Sequence, residues 1–386
     1  MTSDRRSILI DGRVSGLPGA HGLARSLVGL AEHLGRADDG LTVRVLINPA
    51  REQLFPLARL SKRTELVGTD ITLGALHRVR ALARLIGDCE AAVLYVPYPL
   101  FRPLLCPCPV VVTIHDCTIE SDAGFAGGWY RQLGMKVATR AVLSRAVAVT
   151  TPTKASFADL LRFYPSAPNP VVIPNGVDTE RFAAVTASAV AAARDHYRLP
   201  EQFILTVGAH RPHKNHGVLV RAMLAVPPQA SLVIVGYPDP HFREYLPGLI
   251  AELGLQSRVR LVPSVGDEWL PAVYRAASAF ALPSLAEGYG LPALEAMAAG
   301  IPVLASAIPV LEEVCSGAAV LVPAHDPAAW ASALNLVLDG GPSVAGMVSH
   351  GAAVAAAATW ERGGLALSEL LSSVARSEHQ GKAARG

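Results

Sequence analysis

The sequence has 386 residues, of which 51% are hydrophobic and 17% are charged, and its formal net charge at pH 7 is +2. This length exceeds one compact core of usual size, so we expect two domains of roughly 180 residues each. A charge balance this close to neutral excludes the strongly basic character of most nucleic-acid-binding proteins. The low share of charged residues favours sheets that are covered on both faces.

The start of the chain and the cysteines indicate a cytoplasmic protein. The apolar run from Ile8 to Ile10 is too short for a signal peptide, and prolines interrupt the low-charge stretch 291–311, so no transmembrane segment is expected. The cysteines are odd in number and lack the paired spacing of a zinc site, which favours reduced thiols. They are Cys89, Cys106, Cys108, Cys117 and Cys315.

Short apolar runs rich in valine and isoleucine alternate with helical patterns along the first half of the chain. The predicted strands are 7–10, 41–47, 91–96, 110–114, 146–150 and 171–173. Strands that alternate with helices predict a parallel, doubly wound α/β sheet.

A glycine-rich loop, Asp11 to Gly22, follows the first strand and precedes a helix that is predicted to end near Leu34. Its glycines Gly16, Gly19 and Gly22 would let the backbone approach a ligand closely, but a flexible surface connection explains this composition equally well. The spacing differs from Gly-x-Gly-x-x-Gly, so a nicotinamide dinucleotide site is not supported.

The dipeptide His115-Asp116 follows the strand at 110–114, at the edge of the sheet where doubly wound folds bind ligands. The imidazole could exchange a hydrogen bond with a sugar hydroxyl, and Asp116 could orient the ring. A histidine whose hydrogen bonds are satisfied at a strand end is the alternative.

Basic residues cluster between Arg59 and Arg84. A solvated helix face is the default interpretation, and a contact with an acceptor or with anionic lipid is the alternative. The residues are Arg59, Lys62, Arg63, Arg78, Arg80 and Arg84.

A second set of strands follows Pro174-Asn175-Gly176, an alanine-rich segment and Leu199-Pro200, so we place the domain boundary between about 180 and 200. These predicted strands are 203–207, 232–235, 259–262, 279–282, 303–305 and 319–322. We therefore expect two parallel sheets with a cleft between them.

The segment Gly208 to Asn215 follows the first strand of this second set and contains Arg211 and Lys214. Two fixed cations could neutralise a diphosphate, and a diphosphate that leaves a sugar gains charge as the bond breaks. The alternative is a loop of solvated basic residues.

Residues 279–300 combine a buried strand, a glycine loop and a helix start, and we interpret them as the active centre. The amides of Gly290 and Leu291 should lie at the positive end of the helix dipole, a favourable place for an anion such as a diphosphate. Pro292 suits the first helical position, and Gly300 should end the helix.

Two carboxylates border this helix start, Glu287 in the loop and Glu295 about one turn inside the helix. A phosphate would repel a carboxylate, so the hydroxyls of a sugar or a ribose are the better match. An ordinary loop with two surface glutamates is the alternative.

The seven residues between Glu287 and Glu295, around Gly-Tyr-Gly-Leu-Pro, resemble the signature of retaining glycosyltransferases of the GT-B fold, in particular glycosyltransferase family 4 (glycosyl transferase group 1). The segment at Gly208 resembles the phosphate-binding loop of this family, and the segment 110–116 resembles its amino-terminal domain. The resemblance implies an α/β protein with two Rossmann-like, doubly wound parallel-sheet domains that face each other across a cleft.

The resemblance also implies roles for individual residues. Glu295 should hold ribose hydroxyls, Glu287 the donor sugar, and His115 should lie near that sugar. The expected catalytic residues are His115, Arg211, Lys214 and Glu287. The expected substrate-binding residues are Gly16, Gly19, Gly22, Gly208, Tyr289, Gly290, Leu291 and Glu295, with Tyr289 standing where many relatives have phenylalanine.

We expect an acceptor-binding domain at 1–185, a nucleotide-sugar-binding domain at 186–358, a helix at 359–378 that crosses back to the first domain, and a disordered tail at 379–386. The expected enzyme is a hexosyltransferase that moves a sugar from an α-linked nucleotide-diphosphate sugar to a hydroxyl acceptor with α-configuration. No Asp-x-Asp occurs, so we expect neither a metal nor a separate cofactor.

The acceptor is left open as a small molecule, a glycan or a lipid-linked molecule. No nucleic-acid partner is expected, and a peripheral membrane contact stays open. Three other functions remain: a nucleotide-sugar epimerase, which needs no acceptor; a sugar phosphorylase, which needs inorganic phosphate; and a non-catalytic nucleotide-sugar-binding protein.

Overall fold

A computed structural model of the chain describes residues 7–13, 21–34, 42–49, 64–72, 76–99, 105–242 and 244–383. The chain divides into two compact units. Unit 1 comprises Met1–Glu120, Trp129–Gly176 and Trp360–Gly386, and unit 2 comprises Ser121–Gly128 and Val177–Thr359.

Unit 1 contains a seven-stranded sheet in the order β3-β2-β1-β4-β5-β6-β7, and all its neighbouring strands are parallel. The strands are β1 (Ser7–Asp11), β2 (Thr42–Ile47), β3 (Thr64–Gly68), β4 (Ala91–Val96), β5 (Val110–Thr113), β6 (Ala146–Thr151) and β7 (Pro170–Val172). Its central strands β1, β4 and β5 are buried along most of their length because helices cover both faces.

The helices of the first half are α1 (His21–Ala31), α2 (Val79–Asp88), α3 (Thr118–Ser121), α4 (Ala123–Ala126), α5 (Trp129–Leu143) and α6 (Lys154–Phe163). Thr153 caps the start of α6, because its hydroxyl accepts a hydrogen bond from the amide of Ser156 at 3.0 Å.

Unit 2 contains a six-stranded parallel sheet in the order β10-β9-β8-β11-β12-β13. The strands are β8 (Phe203–Val207), β9 (Ser231–Val235), β10 (Val259–Val262), β11 (Ala279–Leu282), β12 (Val303–Ser306) and β13 (Val320–Val322). Because the strand order reverses between β8 and β11, the carboxyl ends of these two strands form the switch point at which such sheets bind ligands.

The helices of the second half are α7 (Thr179–Ala183), α8 (Ala187–Tyr197), α9 (His216–Ala222), α10 (Leu246–Glu252), α11 (Leu270–Ala276), α12 (Leu291–Ala298), α13 (Pro309–Cys315), α14 (Pro327–Asp339), α15 (Pro342–Ala357) and α16 (Trp360–Ala383). The last of them, α16, belongs to unit 1. It continues to Ala383, past the position where the sequence predicts the disordered tail to begin.

The structure has a strand at every predicted position and one more, β3, within the basic segment that was interpreted as a helix face. Of the six basic residues, Arg59, Lys62 and Arg63 lie outside the described residues. Arg78 pairs with Asp70 at 2.8 Å, while Arg80 and Arg84 lie on the exposed face of α2, opposite its buried residues. The solvated helix face is therefore confined to α2.

Helix α16 packs closely against α1, where a glycine of α1 leaves room for a large side chain of α16. The indole ring of Trp360 lies against Gly29, and a Cβ atom at Gly29 would collide with that ring. Leu367 and Leu371 of α16 are completely buried in the core of unit 1, together with Leu27 and Leu34. This packing fixes α16 to the sheet of unit 1.

We expect Gly29→Ala to lower the free energy of unfolding by about 1–3 kcal/mol, because the added methyl group overpacks the contact with Trp360. Chemical denaturation at constant temperature measures the change. Gly134→Ala in α5 is the matched control, since nothing lies within 4 Å of its added Cβ, and it should be neutral or slightly stabilising. Equal stabilities of the two variants would contradict this account of the contact.

Candidate functional site

The candidate site is built on the loop that follows β8. The amide of Gly208 donates to the carbonyl of Val235 at 2.9 Å, which holds the loop against the end of β9. A Cβ atom at Gly236 would collide with the carbonyl group of Gly208. Only glycine at position 236 therefore allows the two strand ends to approach this closely.

The loop is then tied to two further strand ends by Asn215. This residue has a left-handed backbone, with φ of 52°, and lies between a short 3₁₀ turn at Pro212–Lys214 and helix α9. Its side-chain amide donates to the carbonyl of Pro283 at 3.1 Å and to that of Ala324 at 2.7 Å. One side chain thus connects the segments that follow β8, β11 and β13.

Lys214 and Glu287 form an ion pair, with 2.6 Å between Nζ and Oε1. The side chains are 18% and 9% exposed, so water screens this pair less than it would screen one on an open surface. The buried hydroxyl of Ser284 donates to the same carboxylate oxygen at 2.7 Å. The structure therefore brings together two of the four predicted catalytic residues, at the switch point between β8 and β11.

Helix α12 begins at Leu291, four residues after Glu287. Gly290 precedes it with φ of 89°, a backbone conformation that favours glycine. A Cβ atom there would also lie 2.6 Å from the side chain of Leu311, so glycine is required for two reasons. Pro292 is the second residue of the helix, one position later than predicted. Gly300 ends the helix as predicted, since the amides of Gly300 and Ile301 donate back to Met297 and Ala296 in a Schellman motif.

Glu295 is buried inside α12 and is only 4% exposed. Its Oε2 accepts a hydrogen bond from the hydroxyl of Tyr274 at 2.8 Å. Tyr274 is fully buried and packs against Phe182 and Phe280. The packed aromatic rings fix Tyr274, and Tyr274 in turn orients the carboxylate of Glu295.

Arg211 makes a different contact from Lys214. Its Nε donates to Oδ2 of Asp239 at 2.7 Å, and the other oxygen of Asp239 accepts hydrogen bonds from the amide and the ring of His241. Burial raises the pKa of Asp239, but the bonds from His241 and the charge of Arg211 outweigh it, so this pKa lies below its ordinary value. The sequence predicted Arg211 and Lys214 as one clamp, whereas the structure pairs each with its own carboxylate.

Three histidines were not recognised as site residues from the sequence, two in the loop and one, His216, at the start of α9. His210 donates through Nδ1 to Glu244 at 2.6 Å, and its ring lies perpendicular to that of His216, with 5.7 Å between centroids. His213 contacts Phe125 edge-on, and its buried Nδ1 has no hydrogen-bond partner within the described part of the chain. The repeated three-residue spacing was the available signal, because it places successive side chains on one side of a tight turn.

Two of these histidines stay neutral at physiological pH. Burial, followed by the charges of His210 and Lys214, lowers the pKa of His216 to about 3. Burial, followed by Lys214 and Arg211, lowers the pKa of His213 to about 2. His213 and His216 therefore add no positive charge to that of Lys214 and Arg211.

In unit 1, His115 follows β5, where its Nε2 donates to the carbonyl of Pro97 at 2.8 Å. Burial lowers the pKa of His115 despite that bond and the charge of Asp116, so the neutral ring presents Nδ1 as an acceptor. The carboxylate of Asp116 accepts from the amide of Thr118 at the start of α3. The bond to Pro97 therefore orients the ring, in contrast to the predicted role of Asp116.

The glycine-rich loop is only partly described. Gly16 and Gly19 lie outside the described residues, and Gly22 is the second residue of α1 rather than part of a loop. Among the residues with described structure, no group of three or more histidine, cysteine, aspartate or glutamate side chains could hold a metal ion. No helix in the described ranges has the length and apolar character needed to cross a bilayer.

Solved structures share this two-domain architecture. HepE of Anabaena, crystallised with UDP and glucose, has a TM-score of 0.75 at 21% identity over 96% of this chain and 100% of its own. Sucrose-phosphate synthase of Thermosynechococcus elongatus has a TM-score of 0.73 at 24% identity over 95% of this chain and 98% of its own. These similarities identify the fold as GT-B, which confirms the fold class predicted from the sequence.

Two family models match consecutive parts of the chain. The model of Glycosyltransferase Family 4 matches residues 20–181, and that of glycosyl transferases group 1 matches residues 193–371. Together the two models match most of the chain, which confirms its resemblance to glycosyltransferase family 4.

Several curated relatives carry the name D-inositol 3-phosphate glycosyltransferase. That of Salinispora tropica is 37% identical over 252 residues, which is 60% of this chain and 52% of the relative. That of Streptomyces scabiei is 32% identical over 297 residues, 72% of this chain and 65% of the relative. The matched part spans about half the length of the first relative.

Acid should destabilise the protein through His216, because its pKa is about 3 in the folded state and near 6.5 in the unfolded state. The contribution of His216 to stability is fully present above pH 6.5. It is lost as the pH falls from 6.5 towards 3, because in this range only the unfolded state takes up the proton. We expect a loss of up to about 2 kcal/mol from this residue between pH 7 and pH 5. Denaturation at both pH values measures the free energy of unfolding, which should change less with pH in His216→Gln than in the wild type. An equal change in the two proteins would contradict the assignment.

Tyr274→Phe should lower the free energy of unfolding by about 1–3 kcal/mol, because it removes a hydrogen bond to a buried carboxylate without changing the packing. The control is Tyr197→Phe. The hydroxyl of the half-buried Tyr197 accepts a hydrogen bond from the amide of Gly266 at 3.1 Å, and its removal should lower the free energy of unfolding by less. Urea denaturation compares the two, and a larger loss in the control would show that Tyr274 does not support Glu295.

Proposed function

We propose that the protein is a retaining hexosyltransferase that moves a sugar from an α-linked nucleotide-diphosphate sugar to a hydroxyl group of an acceptor. The observation that carries this proposal is the ion pair between Lys214 and Glu287 at the switch point of the sheet in unit 2. A cation suits a diphosphate and a carboxylate suits sugar hydroxyls, and these are the two halves of such a donor. The matches to both glycosyltransferase models support the same reaction.

The proposed diphosphate site consists of Lys214 and the amides at Gly290 and Leu291. In the free protein, Glu287 neutralises the ammonium group of Lys214. A diphosphate brings more negative charge than one carboxylate, so it displaces Glu287 from the ammonium group and leaves the carboxylate able to accept hydrogen bonds from the sugar. The ion pair thus keeps both groups in place until the donor arrives.

The remaining donor contacts are assigned by position. Glu295 is proposed to hold the ribose hydroxyls, and Tyr274 orients its carboxylate. Gly208 and Tyr289 are proposed to line the donor site. Arg211, whose Nε is bonded to Asp239, is proposed to add a second positive charge at the diphosphate site. His115 is proposed to contact the donor sugar through Nδ1, the acceptor atom that its bond to Pro97 leaves on the ring.

The proposed reaction breaks the bond between C1 of the sugar and the phosphate oxygen and forms a bond from the acceptor oxygen to C1 on the same face. The hydroxyl proton of the acceptor passes to the departing phosphate oxygen. Lys214 and the amides at the start of α12 stabilise the charge that develops on the diphosphate, so their interaction is stronger in the transition state than in the ground state. These groups need no metal ion to carry out this role.

The donor and acceptor can be proposed from the relatives. HepE was crystallised with UDP and with UDP-glucose, which makes a uridine diphosphate hexose the first donor to test. The name of the curated relatives makes D-inositol 3-phosphate the first acceptor. A cytoplasmic location stays a prediction from the sequence.

The test is to incubate the protein with UDP-glucose and other nucleotide sugars, with and without D-inositol 3-phosphate, in excess chelator. We expect release of the nucleoside diphosphate that depends on the acceptor, and a product with an α-linkage by proton NMR. Conversion of the donor without an acceptor would indicate an epimerase, and dependence on inorganic phosphate would indicate a phosphorylase. Activity that requires added Mg²⁺ or Mn²⁺ would contradict the metal-independent reaction.

We expect Lys214→Ala to lower kcat/KM at least about a hundredfold, because it removes the charge that stabilises the departing diphosphate. Arg221→Ala is the matched control, since this exposed cation lies in the last turn of α9, away from the loop, and its kcat/KM should stay unchanged. Thermal shifts with UDP measure binding separately. Unchanged UDP binding and unchanged kcat/KM in Lys214→Ala would contradict the proposed diphosphate site.

A further inference from the structure

Helix α5 is apolar on two opposite faces. Its inner face, with Ala138, Val142 and Leu143, is buried in unit 1. Its outer face also carries large apolar side chains, which are Trp129, Tyr130, Leu133 and Val137, exposed by 57%, 72%, 52% and 57%. A helix of a globular protein normally has polar residues on the side that faces water, so this outer face needs another explanation.

The exposed residues form one continuous surface. Trp129, Leu133 and Val137 are four residues apart and therefore follow one another along the helix. Tyr130 widens this stripe, because its ring stacks on that of Trp129 with 3.4 Å between centroids. Scattered exposed apolar residues are ordinary, but a contiguous group of this size marks an interaction site.

The charged residues within this segment of the chain all have one sign. Between residues 123 and 158 the sequence contains no aspartate or glutamate, and its basic residues are Arg131, Lys136, Arg140, Arg145 and Lys154. Arg131, Arg140 and Arg145 are exposed. The preceding acidic residues have other roles: Glu120 is buried and accepts from Tyr164 at 2.7 Å, and Asp122 accepts from the amide of Gly124 at the start of α4.

We propose that the outer face of α5 binds the surface of a membrane that contains anionic lipids. Tryptophan and tyrosine favour the boundary between lipid head groups and acyl chains, where the apolar stripe would be buried, and the surrounding arginines and lysine attract negatively charged head groups. A second copy of this chain fits less well. In a two-fold dimer through this face, cations would approach cations, and the helix offers no carboxylate to pair with them.

The experiment is co-sedimentation of the full chain with vesicles of phosphatidylcholine alone or mixed with phosphatidylglycerol. We expect binding to the mixed vesicles that weakens as salt is added, and little binding to the neutral ones. Trp129→Ser combined with Leu133→Ser should lower the partition coefficient at least about tenfold. Arg131→Gln combined with Arg140→Gln should weaken binding and reduce its dependence on salt.

The matched control is Leu336→Ser, an equally exposed leucine (55%) on α14 of unit 2, which should bind vesicles like the wild type. Vesicle binding should shift the tryptophan fluorescence of the wild type, because Trp129 enters the lipid boundary. Trp129→Phe should still bind vesicles but lose most of this shift. This measurement does not depend on the stability of the double variant. Equal binding to both kinds of vesicle, or wild-type binding by Trp129→Ser with Leu133→Ser, overturns the proposal. The proposal is also overturned if analytical ultracentrifugation shows that the wild type is a dimer and the double variant is a monomer, while neither protein binds vesicles.

Discussion

The contact between Lys214 and Glu287 joins the loops that follow β8 and β11, the two strands between which the sheet of unit 2 reverses its order. Parallel strands bring their carboxyl ends to one edge, but they do not by themselves hold long side chains in place. Here the ion pair and the side-chain amide of Asn215 connect the loops, and the hydroxyl of Ser284 holds Glu287 within the second loop. A displacement of either loop would leave a largely buried charge without its partner, which is costly. The loops are therefore coupled before any ligand binds.

The distribution of charge in this region follows from burial. His213 and His216 lie beside Lys214, and in that setting a proton on either ring would be both desolvated and repelled. They fill space as neutral aromatic rings, and the ammonium group of Lys214 remains the fixed charge closest to Glu287. A neutral, hydrogen-bonded His115 in unit 1 follows the same principle, since its ring is held by a backbone carbonyl rather than by a carboxylate.

The sequence revealed most of the strands because buried parallel strands are continuous apolar runs, and β8, β9 and β11 are such runs. It did not reveal β3, which lies at the sheet edge, is only partly buried and reads Thr-Glu-Leu-Val-Gly. Within the site, the glycine and proline pattern predicted the start of α12 to within one residue. The partner of Arg211 could not be predicted, because Asp239 follows β9 and nothing in its local sequence distinguishes it from a solvated aspartate. The position of Glu295 depends in the same way on Tyr274, a residue of another helix.

Unit 1 is assembled from separate stretches of the chain, and its core includes Leu367 and Leu371 of α16. During translation these residues leave the ribosome only after all of unit 2 has been made. Unit 2 can therefore complete its own core while the sheet of unit 1 still lacks one covering helix, so the half of the protein that is synthesised first is the last to finish folding.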